Sequence, residues 1–219
     1  MLVVDQWEEL YTQCEDSESR RRFVDGRGDH VRRHATRTRT DQDQPGSHFA
    51  EHGHPGGEEF LVLSGVFSDA SGDFPAGHYV HNPQGWVHAP WTDQGCELFV
   101  KLCQFQAEDR ERVVVDTLAA SGWEPIQPAG VSRRMLHAHG EESVALYQMA
   151  PGTEGLAMAL PLGAELLVLE GRLENGDRRY GPGSWLRFPV GATHRPRSAK
   201  GCTLYLKLGG LRYLESAAA

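Results

Sequence analysis

Four side chains of this 219-residue chain are of the right types to surround one divalent metal ion: His52, His54, Glu58 and His88. Imidazole nitrogen with carboxylate oxygen suits zinc, manganese, iron, copper or nickel, and such a set needs no thiolate. Their spacing falls into a frame of glycines and prolines. It reads G-x5-H-x-H-x3-E-x6-G from Gly46 to Gly65, then G-x5-P-x-G-x2-H from Gly77 to His88. Residues i and i+2 of a strand point to one side, so His52 and His54 can face a common point. Glu58 is also the candidate catalytic group, because a carboxylate exchanged off a metal can act as a general base.

Strands and turns must deliver these groups. Pro55-Gly56-Gly57 can reverse the chain, since glycine permits positive φ and proline fixes its own. A strand over 58–64 can then return beside the first with Glu58 at its start. A strand after Gly77 and a Pro83-x-Gly85 turn bring His88 to the same point. Further strand candidates are 60–63, 79–81 and 98–102, then 166–169, 185–188 and 204–208. Twenty-five glycines and 12 prolines punctuate them at hairpin distances, the pattern of a β-sandwich or barrel. Phe60 and Val62 share a face with Glu58, and Tyr79 and Trp86 are expected near the other arm, giving an apolar, aromatic cavity. Trp7, Leu10 and Tyr11 predict a short helix over 6–14. The arginine-rich stretch 19–39 reads as a solvated face.

Shifted by 106 residues, the frame reappears without a gap. Pro45-Gly46 falls on Pro151-Gly152, Gly65 on Gly171, and Gly77, Pro83, Gly85 and His88 on Gly183, Pro189, Gly191 and His194. Val4-Asp5 resembles Val115-Asp116 further upstream. The chain is therefore two copies of one unit, 1–110 and 111–219. The copies differ at the ligand positions: His52 becomes Met158, His54 becomes Leu160 and Glu58 becomes Ala164, and only His194 keeps a ligand-type side chain. One imidazole does not hold a metal against water, so the second copy is expected to be metal-free with an apolar interior.

The two motifs resemble those of the cupin superfamily. Within it, GEEFLVLSGVFSD (57–69), GDFPAG (72–77) and GCELFVK (95–101) resemble the cupin domain of the ChrR anti-sigma factors. The resemblance spans both copies. It implies an all-β fold of two tandem cupin double-stranded β-helices (jelly rolls), a metal-binding one over 1–110 and a degenerate, metal-free one over 111–219. It implies metal bound by His52, His54, Glu58 and His88. Two departures stand out. The asparagine usual four residues after the last histidine is Thr92 here. The helical zinc-binding domain with which ChrR proteins grip a sigma factor has no counterpart before the first repeat, where Cys14 stands alone. A sigma factor is thus expected as a partner only through a separate domain.

Bulk properties read as a soluble cytoplasmic protein. Net charge is −8, which argues against general nucleic-acid binding. No apolar run approaches the roughly 20 residues that span a bilayer, and Met1-Leu2-Val3-Val4-Asp5 does not begin a signal peptide. Cys14, Cys96, Cys103 and Cys202 show no CxxC spacing. Cys96 and Cys202, at equivalent repeat positions, read as small buried apolar residues. His30, His34, His48, His78, His81, His137 and His139 lie outside the metal frame. His137-Ala138-His139 copies the H-x-H spacing without a downstream glutamate and reads as surface.

Three roles for the ion compete. Zinc, the first expectation, would be completed by four protein ligands, which suits a sensor or regulatory module for a small molecule or an oxidant. Iron, manganese or nickel would keep two adjacent positions open, as the resemblance to diketone- and flavonol-cleaving cupin dioxygenases implies, with the metal as Lewis acid and template. In the third role the ion only fastens the barrel. A homodimer formed through exchanged strands at 3–4 or 113–115 is a further expectation.

Overall fold

The computed structural model describes residues 38–211. Every regular element among them is a strand, and none is a helix long and apolar enough to cross a membrane. The helix expected at 6–14, Cys14, the valines at 3–4 and most of the arginine-rich stretch lie outside the described residues. These residues divide into two units, 38–118 and 119–211.

The first unit contains β1 (Thr38–Asp43), β2 (Ser47–His48), β3 (His52–His54), β4 (Glu58–Asp69) and β5 (Gly72–Pro75). It continues with β6 (His78–Asn82), β7 (Trp86–His88), β8 (Trp91–Thr92), β9 (Cys96–Leu102) and β10 (Val113–Asp116). All pairings are antiparallel, and the main sheet runs β1-β9-β4-β6-β10. β4 is 12 residues long. Its first half pairs with β6 and β9, and its second half with β5 and β8, so one strand serves both faces of the barrel. Strand alternation sends Phe60 and Val62 inward, where they pack with Phe67, Phe74, Val80, Leu98 and Val100. Each such side chain removed from water stabilises by roughly 1.5–3 kcal/mol. Cys96 and Cys202 are buried and form no disulfide, as their repeat positions suggest, while Cys103 is disulfide-bonded.

The same alternation corrects one expectation. Tyr79 lies on the face opposite Glu58: its hydroxyl donates to Glu59 Oε2 at 3.0 Å, and both are buried with His81 and Lys101. It therefore does not line the barrel interior.

The second unit contains β11 (Glu124–Ile126), β12 (Val131–His139), β13 (Glu142–Met149), β14 (Thr153–Glu154), β15 (Met158–Leu160) and β16 (Ala164–Gly171). It ends with β17 (Leu173–Asn175), β18 (Arg178–Tyr180), β19 (Trp185–Phe188), β20 (Ala192–His194), β21 (Arg197–Ser198) and β22 (Cys202–Leu208). Its main sheet runs β11-β12-β13-β22-β16-β19 around a core of Leu160, Leu166, Val168, Leu186, Leu204 and Leu206. His137, read as surface, is buried in β12 beyond a bulge at Met135/His137, where a shift in register resets which side chains face inward.

The repeat holds down to register. β4 bulges against β9 between Val62 and Ser64, and β16 bulges against β22 between Val168 and Glu170. Gly77 N–H donates to Val62 O, and Gly183 N–H to Val168 O, each at 2.8 Å. Gly65 and Gly171 show why the frame needs glycine. Both have positive φ, 74° and 72°. A Cβ at Gly65 would lie 2.0 Å from Gly95 O, and one at Gly171 2.1 Å from Gly201 O.

Candidate metal centre

β3 and β7 pair as a two-stranded ribbon in which His52 lies opposite His88. His54, two residues on from His52, shares its face, and the turn 55–57 starts β4 at Glu58. Gly57 N–H donates back to His54 O at 3.0 Å and Gly85 N–H to the same carbonyl at 2.9 Å, so both turns close on His54. The result gathers all four residues foreseen from the spacing. Ring nitrogens of His52, His54 and His88 all lie within 4.8 Å of one another. The Nε2 atoms of His54 and His88 are 3.1 Å apart. Glu58 joins them from β4: Oε1 is 3.6 Å from His54 Nε2 and Oε2 is 3.7 Å from His88 Nε2.

Neighbouring groups fix which ring nitrogen of His52 and of His88 points inward. His52 Nδ1 lies 2.8 Å from Ala50 O and donates to it, which leaves Nε2 with a lone pair. His88 Nδ1 faces Asp69 Oδ2 at 3.5 Å, leaving Nε2 toward the centre. A carboxylate behind a ligating imidazole sets its tautomer and raises its basicity. Burial pushes the Asp69 carboxyl up, but its contacts with His88 and with the Ser71 side chain and backbone together outweigh this and hold it at about 2. Burial lowers the His54 pKa; Glu58 opposes the shift, and His88 and His52 add to it, so the ring is held in the neutral, ligating form.

Glu58 is anchored by a relay. Its Oε2 accepts from Asn82 Nδ2 at 3.1 Å, and Asn82 Oδ1 accepts from Arg112 Nε at 3.1 Å. Arg112 also donates to Ser71 Oγ and stacks on Trp86, its Cζ 4.4 Å from the ring centroid. Glu58 Oε1 is buried and makes no hydrogen bond. A buried carboxylate oxygen left so is costly, and a cation between it and the imidazoles would offset that cost. The donor set and its fixed tautomers therefore fit a divalent ion.

Asp69, Asn82 and Arg112 were missed in the sequence. Asn82 sits directly opposite Glu58, a placement that appears only once β4 pairs with β6. Thr92, at the position where an asparagine was expected, donates to Val66 O at 2.6 Å and so ties β8 to β4. In the second unit β15 and β20 place Met158 opposite His194, the same register as His52 and His88. Met158, Leu160 and Ala164 stand where the other ligands would be.

Comparison with known proteins supplies the family and the fold. The family described as the ChrR cupin-like domain matches twice, over residues 31–106 and 110–212. Among solved structures, a dioxygenase candidate from Nostoc punctiforme superposes with TM-score 0.64 at 15% identity, over 80% of this chain and 70% of that one. A cupin 2 conserved barrel domain protein from Leptotrichia buccalis gives 0.56 at 10%, over 77% and 81%. A point mutant of the oxalate decarboxylase of Bacillus subtilis gives 0.53 at 13%, over 78% and 67%. These identities speak for the fold alone. No curated protein matches the sequence.

Proposed function

We propose, from the premise that this chain belongs to the ChrR cupin-like family, that its first barrel binds one divalent metal ion through His52, His54, Glu58 and His88 and serves as a sensor or regulatory module for a small molecule or an oxidant. The observation that carries this reading is the convergence of buried imidazole nitrogens on a Glu58 oxygen that lacks a hydrogen bond. Zinc is the expected ion, since three imidazoles and a carboxylate can complete its tetrahedron. When bound, the metal supplies Lewis acidity and a template. The protein does the rest. Asp69 and Ala50 O hold two rings in the ligating tautomer, Asn82 and Arg112 hold Glu58, and Phe67, packed edge-on against Phe60, lies beside the His88 ring.

Dioxygenase chemistry of the diketone- or flavonol-cleaving kind is the second reading. It is supported by the likeness to the Nostoc dioxygenase candidate, and in it Glu58 would detach and act as base. Manganese enters as an alternative metal because Mn(II) centres are described for the Bacillus oxalate decarboxylase.

The test begins with element-resolved analysis of protein purified without added metal. One zinc per chain with no oxygen consumption from acetylacetone, in the zinc, iron and nickel forms, supports the sensor reading. Oxygen uptake by the iron or nickel form establishes the second reading instead. Metal far below one ion per chain after loading with each of these ions overturns both.

A further inference from the structure

The second barrel kept a histidine where the first has its last metal ligand. His194 is 1% exposed, and neither ring nitrogen makes a hydrogen bond. Its ring packs on Phe188 with centroids 4.4 Å apart. It also lines a cavity of about 300 Å3 that lies wholly within the second unit. The rest of the lining is mostly apolar, with Tyr147 from β13, Met149, Met158 from β15, and Leu166, Leu204 and Leu206 from the sheet behind, and Gln127 adds an amide. Leu156, 63% exposed, lines the same cavity, so the mouth opens on the 155–157 loop. The size is at the lower end for small-molecule sites, and an apolar chamber with a few polar groups is their usual make-up.

We propose that this cavity is a second binding site, independent of the metal, for a small uncharged ring compound bearing one hydroxyl. In that reading the side chains around His194 give way to admit the hydroxyl, since both ring nitrogens are closed to solvent without a guest; the hydroxyl then pairs with the imidazole, and the ring lies among Tyr147, Met149, Met158 and the leucines. Neutral imidazole carries one donor and one acceptor, so it can satisfy a hydroxyl in either sense. Burial keeps the ring uncharged at neutral pH, lowering its pKa to about 4, and this disfavours a charged guest that would have to lose its hydration in an apolar chamber. The three substitutions that remove metal-binding character, Met158, Leu160 and Ala164, leave the interior apolar, while His194 keeps a buried polar group in it.

The probe pair is 4-propylphenol and propylbenzene, which differ by the hydroxyl. Both are titrated by calorimetry into chelator-treated protein. The expected result is one saturable phenol site per chain, about tenfold or more tighter than the hydrocarbon, as one well-placed hydrogen bond allows. The phenol should shift the His194 ring 15N resonances in the unmodified chain. His194→Phe should bring phenol affinity down to the hydrocarbon level, and Ala157→Trp, a change at an exposed position on the mouth, should block both probes. Absence of saturable binding, equal affinities for the two probes, unmoved His194 resonances, or phenol binding untouched by these substitutions would each overturn the proposal. The last outcome would place the phenol outside this cavity.

Discussion

Replacing Gly65 with alanine separates the residues that build the barrel from those that do chemistry in it. Gly65 ends the pairing of β4 with β9 opposite Cys96, at φ 74°. A non-glycine residue in that left-handed region costs about 1–2 kcal/mol by itself. The added Cβ would also sit 2.0 Å from Gly95 O and 2.8 Å from Cys96 Cα, both backbone atoms that no rotamer change can move. Relief needs a shift of the β8–β9 turn by more than 1 Å, against hydrogen bonds on both sides of it. Gly65→Ala should therefore cost about 3–5 kcal/mol, a large share of the 5–15 kcal/mol that holds a domain together. Gly85 is the internal control. Its φ is 81°, but nothing lies within 4 Å of its Cβ position, so Gly85→Ala should cost only about 1–2 kcal/mol. Gly171→Ala should match Gly65→Ala in size, because its Cβ would lie 2.1 Å from Gly201 O. Hydrogen exchange resolved by peptide would locate the effect: β4 and β9 for Gly65→Ala, β16 and β22 for Gly171→Ala. If Gly65→Ala is no more costly than Gly85→Ala, the account of the frame glycines is wrong.

Metal content should fall from about one ion per chain to near zero in His52→Ala and in Glu58→Ala, but persist in His194→Ala; elemental analysis showing equal loss in all three would refute the asymmetry between the repeats. Asp69→Asn should weaken metal affinity about 10–100-fold while leaving the circular dichroism spectrum intact, measured by competition with a chromogenic chelator, since it removes the charge behind His88 Nδ1. Stability should fall on acidification in a way traceable to His194. Its folded pKa of about 4 lies below the ordinary value of 6.5, so below pH 6.5 the unfolded chain takes up the proton first. The stability is complete above that pH and drains away as pH falls toward 4, by about 3 kcal/mol at most from one shifted group. Urea titrations at pH 7 and pH 4.5 should show this loss in the unmodified protein and less of it in His194→Leu; parallel losses would dismiss the assignment.

Much of this was readable in the chain because the two copies act as mutual controls. Gly65 and Gly171 persist where backbone geometry leaves no choice, whereas the fold accepts either His54 or Leu160 at equivalent positions. The i, i+2 spacing of His52 and His54 sufficed to place them on one face, since strand alternation is fixed by backbone geometry. What escaped notice depends on distance in the chain or on local registry. Asp69 reaches His88 only because β4 runs on for 11 residues past Glu58, and nothing in the spacing distinguishes it from an ordinary turn acid. Tyr79 was assigned to the cavity from proximity alone, while parity along β6 sends it the other way with His81. The inward rotation of His137 follows from a bulge at Met135/His137, and one-residue insertions of that kind leave no clear mark in composition.

The strand Val113–Asp116 has a practical consequence for dissecting the molecule. It lies beyond the first repeat, yet it zips onto His78–His81 along the flank of the first unit's main sheet, followed by Thr117 N–H bonding to Gly77 O at 2.9 Å. Scissors placed at residue 110 would strip that flank and bare a ladder of amides and carbonyls, the kind of naked margin that recruits other chains. A fragment carried through Leu118 keeps the pairing of His78–His81 with Val113–Asp116 intact, so a metal-loading measurement on the isolated N-terminal half belongs on the longer piece.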